Sequence, residues 1–154
     1  MIYYYVEEYK EVIEELKPLV HQHSSEIDRY QEYFTLDPAY HLYEELDNNE
    51  QLLITTARTE DGELVGYLVF FLDYHLHYQD ILYAKNDLIF IKPEYRMKGI
   101  ITGLFDYTEE ILKAAGVKVI TFAMKTDHSF EYLAEKMGYD KAEIFYSKYI
   151  GEDK

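Results

Sequence analysis

The sequence predicts a mixed α/β fold in a single domain over residues 1–154, and three observations support this. The length suits one domain, and 48% of the residues are hydrophobic, which is enough for a sizeable core. Helical apolar spacing dominates the first third of the chain, a hairpin pattern follows, and strand and helix patterns then alternate. The chain contains no internal repeat and no low-complexity linker that would mark a second domain.

The first third of the chain predicts one short strand followed by three helices. Residues 2–6 are β-prone, and apolar residues recur at helical spacing over residues 9–20, where Pro18 is expected to end or kink the helix. A connection over residues 21–26 precedes the second helix, and Asp37-Pro38 is a start signal for the third. The apolar residues of the second helix are Ile27, Tyr30 and Phe34, and those of the third are Ala39, Leu42, Tyr43 and Leu46.

The rest of the chain predicts alternating strands and helices. Glu60-Asp61-Gly62 predicts a hairpin turn, because Asp-Gly is a strong turn signal. Residues 75–80 are polar and aromatic and are expected to form a loop or a strand end. Gly116 and Gly138 are placed to end two later helices. The predicted elements are strands over 52–57, 64–73, 81–91, 117–124 and 139–150, and helices over 101–115 and 130–137, with 151–154 frayed.

The stretch from Asp87 to Gly103 predicts a phosphate-binding turn. It passes from a short apolar strand through Pro93 and a polar turn into an amphipathic helix. The first turn of a helix leaves backbone N–H groups unpaired and carries the positive end of the helix dipole, so an anion is stabilised there. Gly99 would let the backbone approach the anion closely, and Arg96 would add positive charge. The alternative is a tight connection that binds nothing.

The same stretch resembles a known family signature. One run is similar to the signature of the GNAT superfamily of acyl-CoA N-acyltransferases, namely Ile91-x-Pro93-x-Tyr95-Arg96-x-x-Gly99-Ile100 followed by Leu104. The order of the predicted elements over residues 52–150 also matches that superfamily. The resemblance implies one GNAT-like domain with a central, mostly antiparallel twisted sheet that is flanked by helices. It also implies acetyl-CoA as the acyl donor.

In this superfamily the turn holds the coenzyme A pyrophosphate. The chain departs from the pattern at Ile101, where the superfamily has Gly or Ala, and residues 139–150 are too few for the usual closing pair of strands. A short C-terminal strand unit is therefore expected. His128 lies where members often place an Asn that faces coenzyme A, although capping by Asp127 or Ser129 is the favoured alternative. The implied coenzyme A residues are Phe90, Ile91, Arg96, Met97, Lys98, Gly99, Ile100, Ile101, Thr102 and His128.

Asp87 is the first candidate for the base, because an amine must lose a proton before it attacks a thioester. It lies on the strand that leads into the turn, where related GNAT enzymes often carry a catalytic Glu or Asp. The alternative is a turn carboxylate that is hydrogen-bonded to the backbone. By resemblance, the backbone N–H of Phe90 or Ile91 would bind the pantetheine arm and help to stabilise the oxyanion.

The proton donor for the leaving thiolate is harder to assign. Members of the superfamily commonly use a Tyr four residues before the Gly that ends the last helix, and this chain has Ala134 there. Tyr132 and Tyr139 are the nearby candidates, although Tyr132 points about 200° around the helix from Ala134. A thiolate can also leave without a dedicated acid.

His75 and His77 flank Leu76 and would face the same side of a strand. This spacing can bind zinc, but the sequence places no third ligand, so no metal is predicted. A role in shaping or deprotonating the acceptor is favoured, because this segment precedes the Asp87 strand. The run His75-Leu-His77-Tyr78, with Asn86-Asp87 beyond it, also resembles a branch of GNAT-like proteins often found in bacteriophage genomes.

Acidic residues outnumber basic ones by 30 to 15, which gives a formal net charge of −15. This charge opposes direct nucleic-acid binding and favours a cationic acceptor, either a small molecule or a protein amine. The acidic clusters of the early helices are expected to be solvated faces, unless some line the acceptor site. With no cysteine, no signal-peptide pattern and no long apolar run, the chain is expected to be soluble and cytoplasmic, in the host cytoplasm if phage-encoded. The 17% aromatic residues suit a homodimer surface or simply the core.

Three functions are therefore open at this stage. The first is acetyl transfer from acetyl-CoA to a primary amine by direct attack. The second is a catalytically inactive GNAT-like module that binds a partner protein, which Ile101, Ala134 and the short C-terminus favour. The third is a phage-type enzyme that modifies a nucleobase or nucleotide, which the net charge opposes and which would require a local basic groove.

Overall fold

The structure, a computed structural model, describes residues 1–152 and contains a five-stranded sheet in the order β1-β2-β3-β4-β5. Neighbouring strands are antiparallel except for β4 and β5, which are parallel. This confirms the predicted fold class. Asp153 and Lys154, the end of the segment expected to fray, lie outside the described residues. The strands are β1 (Ile2–Val6), β2 (Leu52–Thr59), β3 (Leu64–His75), β4 (Tyr78–Ile91) and β5 (Val119–Thr121).

Four α-helices accompany the sheet: α1 (Tyr9–Ile27), α2 (Tyr40–Asn48), α3 (Ile100–Ala114) and α4 (Glu131–Lys136). Helix α3 buries one face, because Ile100, Leu104, Thr108 and Leu112 recur every four residues and Phe105 lies beside them. No helix within residues 1–152 is long and apolar enough to cross a membrane. The apolar stripe of α3 and the buried strands β2 and β3 make up much of the core.

Helix α1 differs from its prediction, because it continues through Pro18 to Ile27 and includes the expected connection over residues 21–26. A proline inside a helix removes one hydrogen bond. The buried apolar side chains of Leu16 and Leu19 flank it and stabilise the helix on both sides. The predicted second helix over residues 27–34 is wrong. Tyr30 has a positive φ of 64°, which a right-handed helix does not accept.

Strands β3 and β4 form a hairpin in which His75 pairs with Tyr78, so residues 75–80, expected to be a loop or a strand end, are strand ends around a turn at 76–77. The ladder contains an irregularity farther along. Val69 pairs with Leu88, whereas Phe70 pairs with Asn86, so Asp87 is an extra residue in β4. Asp87 therefore occupies a β-bulge, which re-aims a side chain relative to the regular alternation.

The predicted strand over residues 139–150 is also wrong, because the structure assigns no strand to residues 139–152. The apolar residues that predicted it, including Ile144, Phe145 and Tyr146, are exposed. Apolar and aromatic content alone does not form a strand when no neighbouring strand accepts its backbone hydrogen bonds.

The chain forms two compact units. The first contains residues 1–17 and 39–123, with the whole sheet, α2 and α3. The second contains residues 18–38 and the chain from Met124 onward. In the second unit Tyr33 stacks on Tyr149 with ring centroids 3.8 Å apart, and the Tyr30 hydroxyl lies 2.9 Å from Ser147 Oγ. The single domain over residues 1–154 stays a prediction.

A buried hydrogen bond joins β2 to α3 and gives the first testable prediction. Thr55 Oγ1 and Thr108 Oγ1 are 2.7 Å apart, and the Thr108 hydroxyl donates to Leu104 O at 2.7 Å, so Thr55 is the donor between the two. We expect Thr108→Val to lower the free energy of unfolding by about 1–3 kcal/mol, because it leaves the Thr55 donor unsatisfied. Thr55→Val should cost only about 1 kcal/mol, because Thr108 keeps its bond to Leu104.

Urea unfolding of both single variants and of the double variant measures these effects. The double variant should lose less than the sum of the single losses, because it leaves no buried donor without an acceptor. Equal losses in Thr55→Val and Thr108→Val would contradict the assigned direction of the hydrogen bond.

Candidate active site

The bulge residue Asp87 forms a hydrogen-bonded pair with a tyrosine from α2. The Tyr43 hydroxyl donates a short hydrogen bond to Asp87 Oδ2. Burial raises the pKa of Asp87, and the Tyr43 hydrogen bond opposes this rise without cancelling it. Burial and the adjacent carboxylate together raise the pKa of Tyr43 strongly, so its hydroxyl stays protonated as the donor. A carboxylate with a raised pKa is suited to accept a proton at neutral pH.

The role of Tyr43 was not predicted from the sequence. Helical spacing predicted a buried face of α2 that includes Tyr43, but in the structure α2 has no fully buried residue, Tyr43 is half-buried and Leu42 is exposed. Its ring lies 6.0 Å from the ring of Phe71 on β3. A buried tyrosine usually finds a partner for its hydroxyl, but spacing does not identify that partner. The signal that could have pointed to it was the break in the β4 pattern at Asp87, because a bulge brings a polar side chain out of register.

Strands β4 and β5 diverge directly before Asp87. They pair only from Tyr83 to Lys85 on the β4 side. Asn86 Oδ1 then accepts a hydrogen bond from the backbone N–H of Ala123 at 2.8 Å. Beyond Asn86, no strand among residues 1–152 pairs with this side of β4. We call residues 87–91 on this side the open edge.

The orientation of the backbone along the open edge follows from one hydrogen bond. The N–H of Lys92 donates to Val65 O on the β3 side at 2.8 Å. Because N–H groups alternate along a strand, the N–H of Phe90 also points toward β3, whereas those of Ile89 and Ile91 point toward the open edge. Of the two N–H groups considered for the oxyanion, that of Ile91 is therefore the one directed at the open edge.

The turn after β4 has the backbone conformation that the phosphate-binding prediction requires. A short 3₁₀ turn over Pro93–Tyr95 leads to Gly99, which adopts φ 76° and precedes the first residue of α3. The first intrahelical hydrogen bond joins the Gly103 N–H to Gly99 O at 3.2 Å. The N–H groups of residues 100–102 therefore have no intrahelical acceptor and point out of the helix N-terminus. Met97, with φ 64°, also lies in the left-handed region, which is uncommon for a side chain of this size.

Side chains hold this turn against the sheet. Arg96 Nε donates to Ile91 O at 2.7 Å, and its guanidinium lies 5.5 Å from the centre of the Phe90 ring. Glu63, in the β2–β3 turn, accepts from Lys92 Nζ at 3.1 Å and from the Tyr95 hydroxyl at 3.0 Å. Met97 is fully exposed, and Lys98 Nζ lies 5.3 Å from the centre of the Tyr95 ring.

The two histidines do not lie near Asp87. His75 pairs with Tyr78 at the tip of the hairpin, and Asp87 is nine positions farther along β4, roughly 30 Å at about 3.3 Å per residue. His75 Nδ1 accepts a hydrogen bond from the backbone N–H of His77 at 3.0 Å, and its ring lies 4.7 Å from that of Tyr83. The first unit therefore places Asp87 on the strand that leads into the turn, far from His75 and His77 along that strand.

The remaining predicted site residues belong to the second unit. Tyr132 on α4 is 79% exposed, and Ala134 is buried. His128 ends a short 3₁₀ turn over Thr126–His128. Ser129 Oγ accepts a hydrogen bond from the Glu131 N–H at 3.3 Å, and the N-cap residue of α4 is Phe130. The roles of Tyr132 and His128 stay predictions.

Several acidic residues of the early helices have structural partners. Arg58 Nη2 lies 2.9 Å from Glu7 Oε1 and 2.8 Å from Glu15 Oε1, and the Thr56 hydroxyl also donates to Glu7. Asp47 Oδ2 accepts from the backbone N–H of Tyr9 at 3.0 Å. These carboxylates are therefore already paired with groups of the protein. On or next to α1 and α2 in the first unit, the exposed acidic residues include Glu8, Glu11, Glu14, Glu44 and Glu45.

Comparison with known protein families identifies the chain. A model of the acetyltransferase (GNAT) family matches residues 10–139, which include Asp87, the open edge and the turn. The chain belongs to the GNAT family. Membership indicates an acetyltransferase, and members of this family typically use acetyl-CoA. Among curated protein sequences, none matches the chain.

Three solved structures illustrate the fold of this GNAT chain. Glucosamine-6-phosphate N-acetyltransferase from Arabidopsis thaliana has a TM-score of 0.73 at 13% identity, covering 98% of this chain and 99% of its own. An aminoglycoside acetyltransferase from an uncultured soil metagenomic sample, in complex with sisomicin, has a TM-score of 0.73 at 12% identity. The match covers 98% of this chain and 97% of that chain. Ribosomal-protein-alanine N-acetyltransferase from Brucella melitensis has 0.65 at 16% identity, covering 99% of both chains. These identities support a shared fold alone.

Proposed function

We propose that this GNAT protein transfers an acetyl group from acetyl-CoA to a cationic primary amine, with Asp87 as the base. The observation that supports the proposal is that β4 contains Asp87 and leads directly into the phosphate-binding turn. Asp87 occupies a bulge on the open edge, and the strand ends about 13 Å farther on, at Ile91, where the phosphate-binding turn begins. A base on a rigid strand and an anion-binding turn at the end of that strand can hold the acetyl end and the pyrophosphate end of the donor at a fixed distance from each other.

The donor would be held by backbone groups and by the helix N-terminus. The pyrophosphate would accept hydrogen bonds from the N–H groups of Ile100, Ile101 and Thr102, with Gly99 allowing close approach. The side chain of Ile101 replaces the smaller residue of the family pattern, but the interaction uses its backbone N–H. The pantetheine arm would lie along the open edge, where Ile91 offers its N–H.

The residues of the open edge supply the base and the hydrogen-bond donor that acetyl transfer needs. The protonated amine loses a proton to the Asp87 carboxylate, directly or through water, and its nitrogen lone pair attacks the thioester carbonyl carbon. The oxyanion accepts a hydrogen bond from the N–H of Ile91. The nitrogen then loses its second proton, the carbon–sulfur bond breaks, and the sulfur leaves with the bonding pair as a thiolate that takes up this second proton, directly or through water. The products are the acetylated amine and free coenzyme A.

The charge of the protein favours a cationic acceptor. The formal net charge is −15, and the exposed carboxylates Glu44 and Glu45 follow Tyr43 directly on α2. Negative charge around a cleft raises the local concentration of an amine and accelerates its association at low ionic strength. Aminoglycosides, polyamines and lysine side chains carry such amines.

Calorimetric titration with acetyl-CoA and with coenzyme A tests the proposal. We expect micromolar binding of both ligands, followed by thiol release when a suitable amine is added. A screen of polyamines, aminoglycosides and lysine peptides, read as free thiol, would identify the acceptor class. Absence of binding by either ligand would overturn the proposal and favour the inactive, partner-binding interpretation.

A further inference from the structure

We propose that Tyr43 is a positioning residue for Asp87, whose hydroxyl holds Oδ2 of the carboxylate and leaves Oδ1 to accept the proton of the amine. This inference rests on the proposed role of Asp87 as the base. Tyr43 itself is not assigned any contact with the donor or the acceptor. Its effect on the reaction passes through the orientation and the proton affinity of Asp87.

A bulge residue needs such support. Asp87 has no directly opposite partner on β3, because the register passes from Val69–Leu88 to Phe70–Asn86. Its side chain is therefore not fixed by a cross-strand neighbour in the regular way. The Tyr43 hydroxyl makes the one hydrogen bond that residues 1–152 provide to the Asp87 carboxylate. Without that bond, the carboxylate could rotate about its side-chain torsions.

Tyr43 is held firmly enough to serve this purpose. Its ring packs beside Phe71 on β3, one position beyond the Phe70 that flanks the bulge. Helix α2 is attached near its C-terminal end, where Asp47 accepts from the Tyr9 N–H at 3.0 Å and Leu46 O accepts from the Gln51 N–H at 2.9 Å. A tyrosine has only two side-chain torsions, so fixing its ring also fixes the position of its hydroxyl.

The surroundings of Asp87 contain few groups that could replace Tyr43. From β3, Val69 and Phe70 flank the bulge and do not titrate. From β4, Lys85 is exposed, and from α2 the nearby titratable groups are Tyr43 and Tyr40. Burial raises the pKa of Asp87, and the Tyr43 hydrogen bond lowers it. Loss of the Tyr43 hydroxyl should therefore raise the pKa of Asp87 further.

The variants Tyr43→Phe and Tyr40→Phe form a matched pair for the test. Both remove one hydroxyl from α2 and keep the ring. The Tyr40 hydroxyl is buried and has no hydrogen-bond partner among residues 1–152. The measurement is the titration of the Asp87 carboxyl carbon by NMR in the full chain without any ligand, with Asp87→Asn used to assign the signal.

We expect Tyr43→Phe to raise the pKa of Asp87 by about one unit, because a hydrogen bond to a charged group and one pKa unit have similar free energies. Tyr40→Phe should leave the titration unchanged. In acetyl transfer, the acidic limb of the pH profile of kcat/KM should move upward by the same amount in Tyr43→Phe alone.

Three results would overturn the inference. An unchanged Asp87 titration in Tyr43→Phe would remove the geometric basis, and an equal shift in Tyr40→Phe would indicate a general effect of α2. A shifted titration with an unchanged pH profile would show that the hydrogen bond does not serve the reaction. Failure of the proposed function is seen separately, as full activity of Asp87→Asn or absence of acetyl-CoA binding, and neither depends on Tyr43.

Discussion

We expect the replacement of Asp87 by asparagine to lower kcat/KM for acetyl transfer by about 10²–10⁴-fold, the usual contribution of a general base. Asparagine has nearly the same shape and keeps an oxygen that can accept from the Tyr43 hydroxyl. It cannot take up the proton of the amine. Binding of acetyl-CoA should be unchanged, because the turn and the helix N-terminus are untouched, so the loss should fall on kcat. Steady-state kinetics together with calorimetry measure the two effects.

The same variant should be more stable than the parent protein at neutral pH. Burial raises the pKa of Asp87, so the folded protein binds this proton more tightly than the unfolded chain does. The contribution of Asp87 to stability is therefore present below the ordinary carboxyl pKa and is lost as the pH rises through the raised pKa. Asp87→Asn does not titrate, and its gain in thermal stability should appear above that window and vanish below it.

Asp80→Asn is the matched control, since it makes the same substitution on β4 at an exposed position near the hairpin tip. It should leave both kcat/KM and the pH dependence of stability unchanged. If Asp87→Asn acetylates as fast as the parent, Asp87 is not the base. If Asp87→Asn is less stable than the parent protein at neutral pH, this result would contradict the expected cost of burying the carboxylate.

We expect Gly99→Asp to weaken acetyl-CoA binding by about 10- to 100-fold, which corresponds to roughly 1.4–2.8 kcal/mol. Gly99 precedes the first residue of α3 and has φ 76°. Aspartate tolerates this left-handed conformation better than most residues, so the fold should persist. Its carboxylate would then occupy the helix N-terminus and repel the pyrophosphate.

Gly99→Asn separates charge from shape in this experiment. Asparagine has the same size and a similar tolerance of positive φ, but it is neutral. We expect it to retain most of the affinity, and the difference between the two variants should shrink at high salt, because an exposed charge is screened. Equal affinities of Gly99→Asp and Gly99→Asn in calorimetry would show that no anion binds at this turn.

The sequence predicted the elements whose residues interact locally. The Asp-Gly turn predicted the hairpin between β2 and β3, and the spacing of apolar residues predicted α3 and its buried face. The turn conformation at Gly99 followed from the same local pattern. The spacing of α2 predicted a buried face that the structure buries only in part, with Tyr43 half-buried and Leu42 exposed.

The errors arose where distant contacts decide the structure. Continuation of α1 through Pro18 depends on tertiary packing that outweighs the loss of one hydrogen bond. The segment over residues 139–150 has the composition of a strand but no neighbouring strand. The hydrogen bond between Tyr43 and Asp87 joins residues that are far apart in sequence, and it depends on the bulge in β4. Local propensity carries no information about such pairs.

The open edge of β4 has a consequence for the protein without its ligand. Unpaired N–H and C=O groups on an apolar strand are a template for pairing with another chain, which is how sheet proteins aggregate. Lys92 and Pro93 end the strand directly after Ile91, and both residue types discourage the addition of a foreign strand. A pantetheine arm that lies along this edge would occupy the same backbone groups. Bound coenzyme A would therefore protect the protein against self-association.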